Sequence, residues 1–197
     1  MESAMKSLQG KVVLVTGAGK GAGRRATELL AARGAVIAAV DLTPINLDET
    51  ISIITSSGGV GKPYLVDIAK KLPIQGLLNQ VLDDLGPLDI LINCAEVDPQ
   101  RPILEMDEWD WVRSLDVNLT GAFLLTQSAG RIMKEKGGGI IIHVSEAAAK
   151  PEGHAAYLAS KAGLEKMVEC AAAELVRWNI HVHLAPTAEE AVELCCR

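Results

Sequence analysis

The sequence alternates short apolar runs, rich in Val, Ile and Leu, with longer segments of helical pattern, and this alternation limits the fold more than any other feature. The successive pairs of run and predicted helix are KVVLV and 21–33, AVIAAV and 46–57, PYLV and 72–85, LDILI and 107–134, GIIIHV and 155–177, and IHVHLA and 187–195. Near-continuous apolar strands separated by helices predict a parallel sheet covered on both faces. We therefore expect a doubly wound α/β fold with a parallel six-stranded sheet flanked by helices, in one domain over 1–197. The stretch SSGGVGKP is predicted to be a flexible loop.

Composition narrows the classes of partner. Hydrophobic residues make up 49% of the chain but aromatic residues only 3%, which predicts a core of Ala, Val, Leu and Ile. A formal net charge of −6 and the absence of a basic run argue against binding to nucleic acid or to an anionic membrane and leave a small-molecule substrate. No apolar run approaches the roughly 20 residues that span a bilayer, and the start MESAMKSLQGK has no apolar leader, so a cytoplasmic protein is expected.

The four cysteines form no C-x-x-C pair and show no zinc-site spacing with histidine. We interpret them as reduced thiols and predict no metal site.

A glycine-rich stretch, TGAGKGAG, follows the first predicted strand directly and leads into a helix that begins near Gly21. Glycine allows the backbone to approach a pyrophosphate closely, and the N–H groups at the start of the helix bind its charge. The pattern meets G-x-G-x-x-G/A with Ala22 in the last place. Its position between a strand and a helix predicts a dinucleotide site and hence a Rossmann fold.

The second predicted strand ends in AAVDL, which places Asp41 where an acid accepts hydrogen bonds from the adenosine ribose hydroxyls. A carboxylate there repels a 2′-phosphate, so the sequence predicts NAD in preference to NADP. Lys20 in the loop could compensate a 2′-phosphate in part. The alternative is that Asp41 and Lys20 are merely solvated charges.

Tyr157 and Lys161, in AAYLASKAG, have the i, i+4 spacing that places two side chains on one face of a helix. A free phenol has a pKa of about 10, and an ammonium about 4 Å away at an effective dielectric of 20 supplies roughly the 4 kcal/mol that brings it near neutrality. The alternative is a solvated lysine on an ordinary amphipathic helix, and the spacing alone does not decide between the two.

Five motifs occur in a fixed order along the chain, namely TGAGKGAG, LINCA, DVNLTGAF, HVSEAA and YLASK. With these motifs the chain resembles the short-chain dehydrogenase/reductase (SDR) family over residues 10–186. The resemblance implies an NAD(P)-dependent oxidoreductase that interconverts a secondary alcohol and a ketone.

The family's catalytic residues correspond to Asn118, Ser145, Tyr157 and Lys161. By this resemblance Tyr157 exchanges a proton with the substrate oxygen while hydride moves to or from the nicotinamide, and Lys161 also holds the nicotinamide ribose. Ser145 hydrogen-bonds the substrate oxygen, and Asn118 supports a water-linked proton path.

The dinucleotide is expected to bind along both the loop and the later motifs. Asp67 matches the acid that the family places beside the adenine ring, and Asn93 matches the first asparagine of its N-N-A-G motif. The full predicted cofactor set is Thr16, Gly17, Gly19, Lys20, Gly21, Ala22, Gly23, Asp41, Leu42, Asp67, Ile68, Asn93, Cys94, Ala95, Tyr157, Lys161 and Pro186.

The sequence departs from the family pattern at three places. Glu96 replaces the last glycine of N-N-A-G, which adds charge beside the expected nicotinamide region. The segment between Ser145 and Tyr157 is one residue shorter than usual. After Pro186 the chain carries the atypical tail 187–197 instead of the family's substrate-covering segment and seventh strand, so we expect a C-terminally shortened member.

Two functions are compatible with these features. The first is the NAD-dependent oxidoreductase, and the alternative is an SDR-like protein that binds NAD with little or no turnover because the substrate lid is missing. The resemblance also implies a homodimer through helices 107–134 and 155–177. The sequence does not identify the substrate.

Overall fold

The computed structural model describes residues 8–145 and 150–196, and a parallel sheet forms its centre. The strands are β1 (Val12–Thr16), β2 (Val36–Asp41), β3 (Val60–Leu65), β4 (Ile90–Asn93), β5 (Gly139–Val144) and β6 (Ile180–Ala185). Within the described residues these six strands pair in the order β3-β2-β1-β4-β5-β6, and every pair is parallel. The predicted doubly wound Rossmann sheet is confirmed, and in this part of the chain it has no seventh strand.

Helices connect the strands. They are α1 (Gly21–Ala31), α2 (Pro44–Ser56), α3 (Lys71–Leu85), α4 (Glu108–Leu115), α5 (Ala122–Lys136), α6 (Ala155–Leu175) and α7 (Ala188–Leu194). A π-helical turn, Asp116–Gly121, joins α4 to α5, and a 3-10 turn, Val176–Trp178, follows α6. Among the described helices, none is both long and apolar enough to cross a bilayer.

The sheet is buried on both faces because successive side chains of a strand point to opposite sides. Val12 and Leu14 of β1 belong to the apolar layer that contains residues of α3, α5 and α6. Val13 and Val15 belong to the opposite layer, with residues of α1, α2 and α7. All five residues of β1 are buried, which explains why the run KVVLV has no polar alternation.

The sheet reverses its order between β1 and β4. From β1 the chain proceeds outward to β2 and β3, and it then returns to add β4 on the other side of β1. The carboxyl ends of β1 and β4 are therefore adjacent, and in doubly wound sheets the ligand crevice opens at such a point. The glycine-rich loop follows β1, and the segment with Cys94, Ala95 and Glu96 follows β4.

The predicted loop over 56–63 is wrong in its second half. β3 begins at Val60 and pairs with Val36 of β2, so only Ser57, Gly58 and Gly59 separate α2 from the strand. Pro63 is accommodated because β3 lies at the edge of the sheet, where a proline nitrogen need not donate to a neighbouring strand.

The predicted helix 107–134 is not continuous. Asp107 is the N-cap of α4, and its carboxylate accepts a 2.7 Å hydrogen bond from the Asp110 N–H. The π-helical turn then interrupts the helix, and α5 extends to Lys136. One extra residue in a helical turn rotates the side chains that follow it, and such turns are frequent at functional sites.

The predicted helix 187–195 is present as α7. The Thr187 hydroxyl caps it by accepting a 3.2 Å hydrogen bond from the Glu190 N–H. Ala191 and Val192 are fully buried in the same apolar layer as residues of α1. The tail is therefore a packed part of the fold.

Candidate active site

The glycine-rich loop between β1 and α1 depends on close backbone approach. Gly17 has φ +66°, and a Cβ atom there would lie 2.9 Å from the Ala95 nitrogen. A Cβ atom on Gly23 would lie only 2.1 Å from the Gly17 carbonyl oxygen. These glycines let the loop fold against both the start of α1 and the segment after β4, which leaves the surface above the loop open.

Asp41, the last residue of β2, is held by the backbone around it. One carboxylate oxygen accepts a 2.8 Å hydrogen bond from the Gly19 N–H, and the other accepts hydrogen bonds of 2.7 and 3.0 Å from Leu42 and Thr43. A Cβ atom on Gly19 would collide with the carboxylate at 2.8 Å. The acid is thus fixed at the edge of the loop, as an acceptor for ribose hydroxyls requires.

A cleft of about 400 Å³ opens at the carboxyl ends of β1, β2 and β4. Its lining includes these predicted cofactor residues: Thr16, Gly17, Lys20, Gly21, Ala22, Gly23, Asp41, Leu42, Asp67, Ile68, Cys94 and Ala95. The cleft is lined also by Thr43, Glu96 and Arg113, which were not among the predicted binding residues. The glycine-rich motif and the residues at strand ends therefore predicted most of the residues that line the cleft, but neither signal pointed to Arg113. Pro186 follows β6 and is exposed.

Asn93 lies beneath the cleft and is 3% exposed. Its side-chain oxygen accepts a 2.5 Å hydrogen bond from the Thr16 hydroxyl, and its amide lies 3.2 Å from His143 Nδ1. The other ring nitrogen of His143 is 2.9 Å from the Thr126 hydroxyl. This buried polar chain ties the ends of β1, β4 and β5 together.

The environment of His143 keeps its imidazole neutral. Its pKa is lowered from 6.5 to about 4, first because burial penalises the charged ring and second because the Lys161 ammonium repels it. The ring is completely buried. It acts as a structural hydrogen-bonding group below the cleft, which agrees with its position in the apolar pattern of β5.

Asp67, the predicted adenine neighbour, forms an ion pair with Arg113 of α4. The Arg113 guanidinium lies 3.0 and 3.2 Å from the two carboxylate oxygens, and the Ala69 N–H donates to one of them. Burial alone would raise the pKa of Asp67, but these donors and the Arg113 charge hold it below its usual value. Asp67 is therefore an anion at neutral pH, beside a cation that shares the cleft.

Tyr157 and Lys161 lie together near the start of α6, and Glu96 joins them from the segment after β4. The Lys161 ammonium is 5.1 Å from the centre of the Tyr157 ring. One Glu96 carboxylate oxygen lies 2.6 Å from that ammonium and accepts a 3.1 Å hydrogen bond from the Tyr157 hydroxyl. Tyr157 is 7% exposed, whereas the Glu96 side chain is 37% exposed and reaches the cleft.

The glutamate at position 96 needs no unusual backbone. Among the described residues other than glycine, positive φ occurs at Gln100 and Asn179 and not at Glu96. The backbone at position 96 therefore lies outside the left-handed region, so a glutamate can replace the family's glycine there without backbone strain.

Asn118, in the π-helical turn, is buried and bonded to protein groups. Its amide nitrogen donates to the Val97 carbonyl at 2.9 Å and to the Ser160 hydroxyl at 3.0 Å, and its oxygen accepts a 2.8 Å hydrogen bond from the Val97 N–H. The turn therefore aims Asn118 at the segment that carries Glu96 and links that segment to α6.

Ser145 follows the carboxyl end of β5, and its N–H donates a 2.9 Å hydrogen bond to the Ala185 carbonyl. The expected one-residue shortening before Tyr157 concerns a segment that includes 146–149, which lie outside the described residues. The four predicted catalytic residues thus lie on the side of the sheet where the strands have their carboxyl ends. Glu96 lies with them, although the sequence did not predict its contacts with Tyr157 and Lys161.

The chain matches the family model described as short chain dehydrogenase over residues 11–189. It is 36% identical over 183 residues to a D-threitol dehydrogenase of Mycolicibacterium smegmatis, a match that covers 91% of this chain and 70% of that protein. It is 37% identical over 180 residues to an uncharacterized oxidoreductase of Thermotoga maritima, with 90% and 70% coverage. The chain belongs to the short-chain dehydrogenase/reductase family.

Solved SDR structures have the same fold. A metagenomic short-chain oxidoreductase in complex with NADP matches with a TM-score of 0.91 and 28% identity, over 98% of this chain and 93% of that one. An NAD⁺-bound xylitol dehydrogenase matches with a TM-score of 0.86 and 31% identity, over 91% and 70%. The family assignment makes the chain an oxidoreductase of the NAD(P)-binding class. The close backbone packing at Gly17 and Gly23, which leaves the surface above the loop open, suits such a dinucleotide.

Proposed function

We propose that this SDR interconverts a secondary alcohol and a ketone with NAD as its cofactor, in one domain that carries both the cofactor site and the catalytic residues. The observation that supports this most directly is the Tyr157–Lys161 pair beside a cleft lined by the glycine-rich loop. Relatives named as D-threitol dehydrogenase and xylitol dehydrogenase support polyols or related secondary alcohols as substrates.

When bound, the nicotinamide accepts or returns hydride. Tyr157 Oη takes the proton from the substrate hydroxyl in oxidation and gives it back in reduction, which requires the phenolate for part of the cycle. The Lys161 ammonium favours that phenolate by its charge and binds the ribose hydroxyls. Ser145 orients the substrate oxygen.

Asn118 has a different role in this proposal from the one the resemblance implied. Its side chain bonds Val97 on both backbone groups and also Ser160. We propose that it fixes the segment after β4 against α6. A water-linked proton path through Asn118 stays a prediction.

The choice of NAD over NADP depends on Asp41. Its carboxylate is fixed by three backbone N–H groups at the end of β2, and a 2′-phosphate brought to it would meet a like charge. Lys20 in the loop is exposed and lines the same cleft, so it is the available partner for a phosphate. The relatives include both NAD⁺ and NADP complexes.

A comparison of the chain's two tyrosines tests the proposal. Secondary alcohols, including threitol and xylitol, and the matching ketones are screened by nicotinamide absorbance. We expect Tyr157→Phe to lower turnover by about 10²- to 10⁴-fold, the usual contribution of a general acid or base, with NAD affinity retained.

The matched control is Tyr64→Phe. Tyr64 lies on the edge strand β3, and its hydroxyl donates a 3.0 Å hydrogen bond to Asp84 of α3, so loss of this bond costs about 1 kcal/mol of stability and leaves turnover unchanged. Equal turnover in wild type and Tyr157→Phe would contradict the role of Tyr157.

A second function, dinucleotide binding with little or no turnover, is favoured by the Glu96 contacts. The Glu96 carboxylate offsets the charge of Lys161 and accepts a hydrogen bond from the Tyr157 hydroxyl, so both groups are already occupied by a protein side chain. Tight NAD binding with no activity across the substrate screen would support this function over the first.

We also propose a homodimer through the surfaces of α4, α5 and α6. Trp109 of α4 is 69% exposed and Phe123 of α5 is 45% exposed. A groove of about 390 Å³ between α5 and α6 is lined by Phe123, Met167 and Trp178. Exposed aromatic surface of this kind marks an interaction site. A monomer in sedimentation at micromolar concentration would contradict the dimer.

A further inference from the structure

Glu96 places one carboxylate oxygen on both Lys161 and Tyr157, at 2.6 and 3.1 Å. The Lys161 side chain is 11% exposed, so little of its ammonium remains open to another ligand. A group that reaches this ammonium from the cleft therefore competes with the carboxylate for it. Glu96 is the residue through which the Tyr157–Lys161 pair meets the cleft, because Glu96 lines it and is partly exposed.

The backbone on either side of Glu96 is fixed. On one side the Ala95 N–H donates to the Thr16 hydroxyl at 3.3 Å, and Ala95 also packs against Gly17. On the other side Val97 is bonded through both backbone groups to Asn118. The carboxylate can therefore leave Lys161 only by rotation of the Glu96 side chain, and the adjoining cleft gives it space.

The path of a dinucleotide leads to this position. With the pyrophosphate at the glycine-rich loop and the adenosine ribose at Asp41, the second half of the molecule extends along the strand ends toward β4. Its second ribose carries hydroxyls that compete for Lys161. ADP lacks this ribose and ends at the pyrophosphate.

We propose that Glu96 is an internal competitor of the nicotinamide half of the cofactor: its carboxylate holds Lys161 and Tyr157 and must rotate away before the dinucleotide can engage them. The inference rests on the proposed function, since it assumes that NAD binds along this cleft. It makes Glu96 a residue that sets cofactor affinity at the Tyr157–Lys161 end and leaves binding at the glycine-rich loop unaffected.

The test measures NAD and ADP binding to Glu96→Gln by calorimetry. Glutamine keeps the size of the side chain and removes its charge, so the competing ion pair is lost. We expect NAD affinity to rise about two- to fivefold, the range expected for a partly exposed ion pair, with ADP affinity unchanged. Glu135→Gln is the matched control, because Glu135 is exposed near the end of α5, away from the cleft, and its replacement makes the same change in net charge.

A second variant shows whether the effect acts through the lysine. In a Lys161→Met background the carboxylate has no ammonium to occupy, so adding Glu96→Gln should give no further gain in NAD affinity. Unchanged or weaker NAD binding by Glu96→Gln, with ADP still bound, would overturn the role of Glu96 and leave the dinucleotide site intact. Failure of both NAD and ADP to bind the folded wild-type protein would instead overturn the proposed function itself.

Discussion

The two ends of the cleft are built in different ways. At the glycine-loop end, which comprises residues 16–23 and Asp41, backbone N–H groups fix the acid and close backbone approach fixes the loop. At the other end, called the Tyr–Lys end, Glu96 of the cleft lining meets Tyr157 and Lys161 beside the cleft, and an ion pair and a hydrogen bond between side chains hold the three groups together.

This difference indicates how a dinucleotide would bind. Backbone atoms are placed by the fold, so the glycine-loop end requires little rearrangement. Side-chain contacts can exchange, so the Tyr–Lys end can accept a ligand only after Glu96 gives up its partners. We expect the glycine-loop end to contribute most of the affinity and the Tyr–Lys end to determine how well binding is coupled to chemistry.

The largest expected effect comes from breaking the glycine-loop end. Gly23→Ala would place a methyl group 2.1 Å from the Gly17 carbonyl oxygen, and the loop must move to relieve the collision. We expect a loss of about 3 kcal/mol of stability or more, because a rigid backbone atom must give way, together with loss of ADP binding. Chemical denaturation and calorimetry measure the two quantities.

Gly76→Ala is the control for this change. Gly76 is a glycine of α3 with no atom within 4 Å of an added Cβ, and alanine is the better helix former by about 1 kcal/mol. We expect this variant to be as stable as wild type or more so. Equal stability of Gly23→Ala and wild type would contradict the rigid loop.

Acid should weaken the structure beneath the Tyr–Lys end. The unfolded chain protonates His143 near pH 6.5, whereas the folded chain does so only near pH 4. The unfolded state thus binds more protons between these values, and stability falls as the pH drops from 6.5 to 4, by about 3 kcal/mol. Above pH 6.5 this contribution is constant.

Denaturation at several pH values, compared with His143→Gln, isolates this contribution. The variant has no imidazole to protonate, so its stability should fall less over this range. His181→Gln is the control, because His181 is exposed on β6. Equal pH dependence in His143→Gln and wild type would contradict the buried neutral ring.

The smallest expected effect concerns the choice between NAD and NADP at the glycine-loop end. Asp41→Ala removes the charge that would meet a 2′-phosphate, and we expect the ratio of NADP to NAD affinity to rise about tenfold, or about 1.4 kcal/mol. Asp48→Ala removes an equal charge from the exposed face of α2 and should leave the ratio unchanged. Tighter binding of NADP than NAD by the wild-type protein would contradict the preference for NAD.

Several parts of the structure were predictable because their signals are local. The apolar runs of β1, β2, β5 and β6 gave their strands to within a residue or two, since a strand buried on both faces has no polar positions. The start of β3 was missed, because its glycine, lysine and proline resemble a loop. Its pairing with β2 makes it a strand.

The sequence by itself determined the parallel sheet, the glycine-rich loop and the acid at the end of β2, because each follows from residues close together in the chain. Only the tertiary structure decided that Glu96 meets Tyr157, 61 residues away. The π-helical turn that aims Asn118 at Val97 likewise depends on packing. The physical reason is the sheet order: β4 lies between β1 and β5, so the segment after β4 reaches α6 only once the strands have assembled.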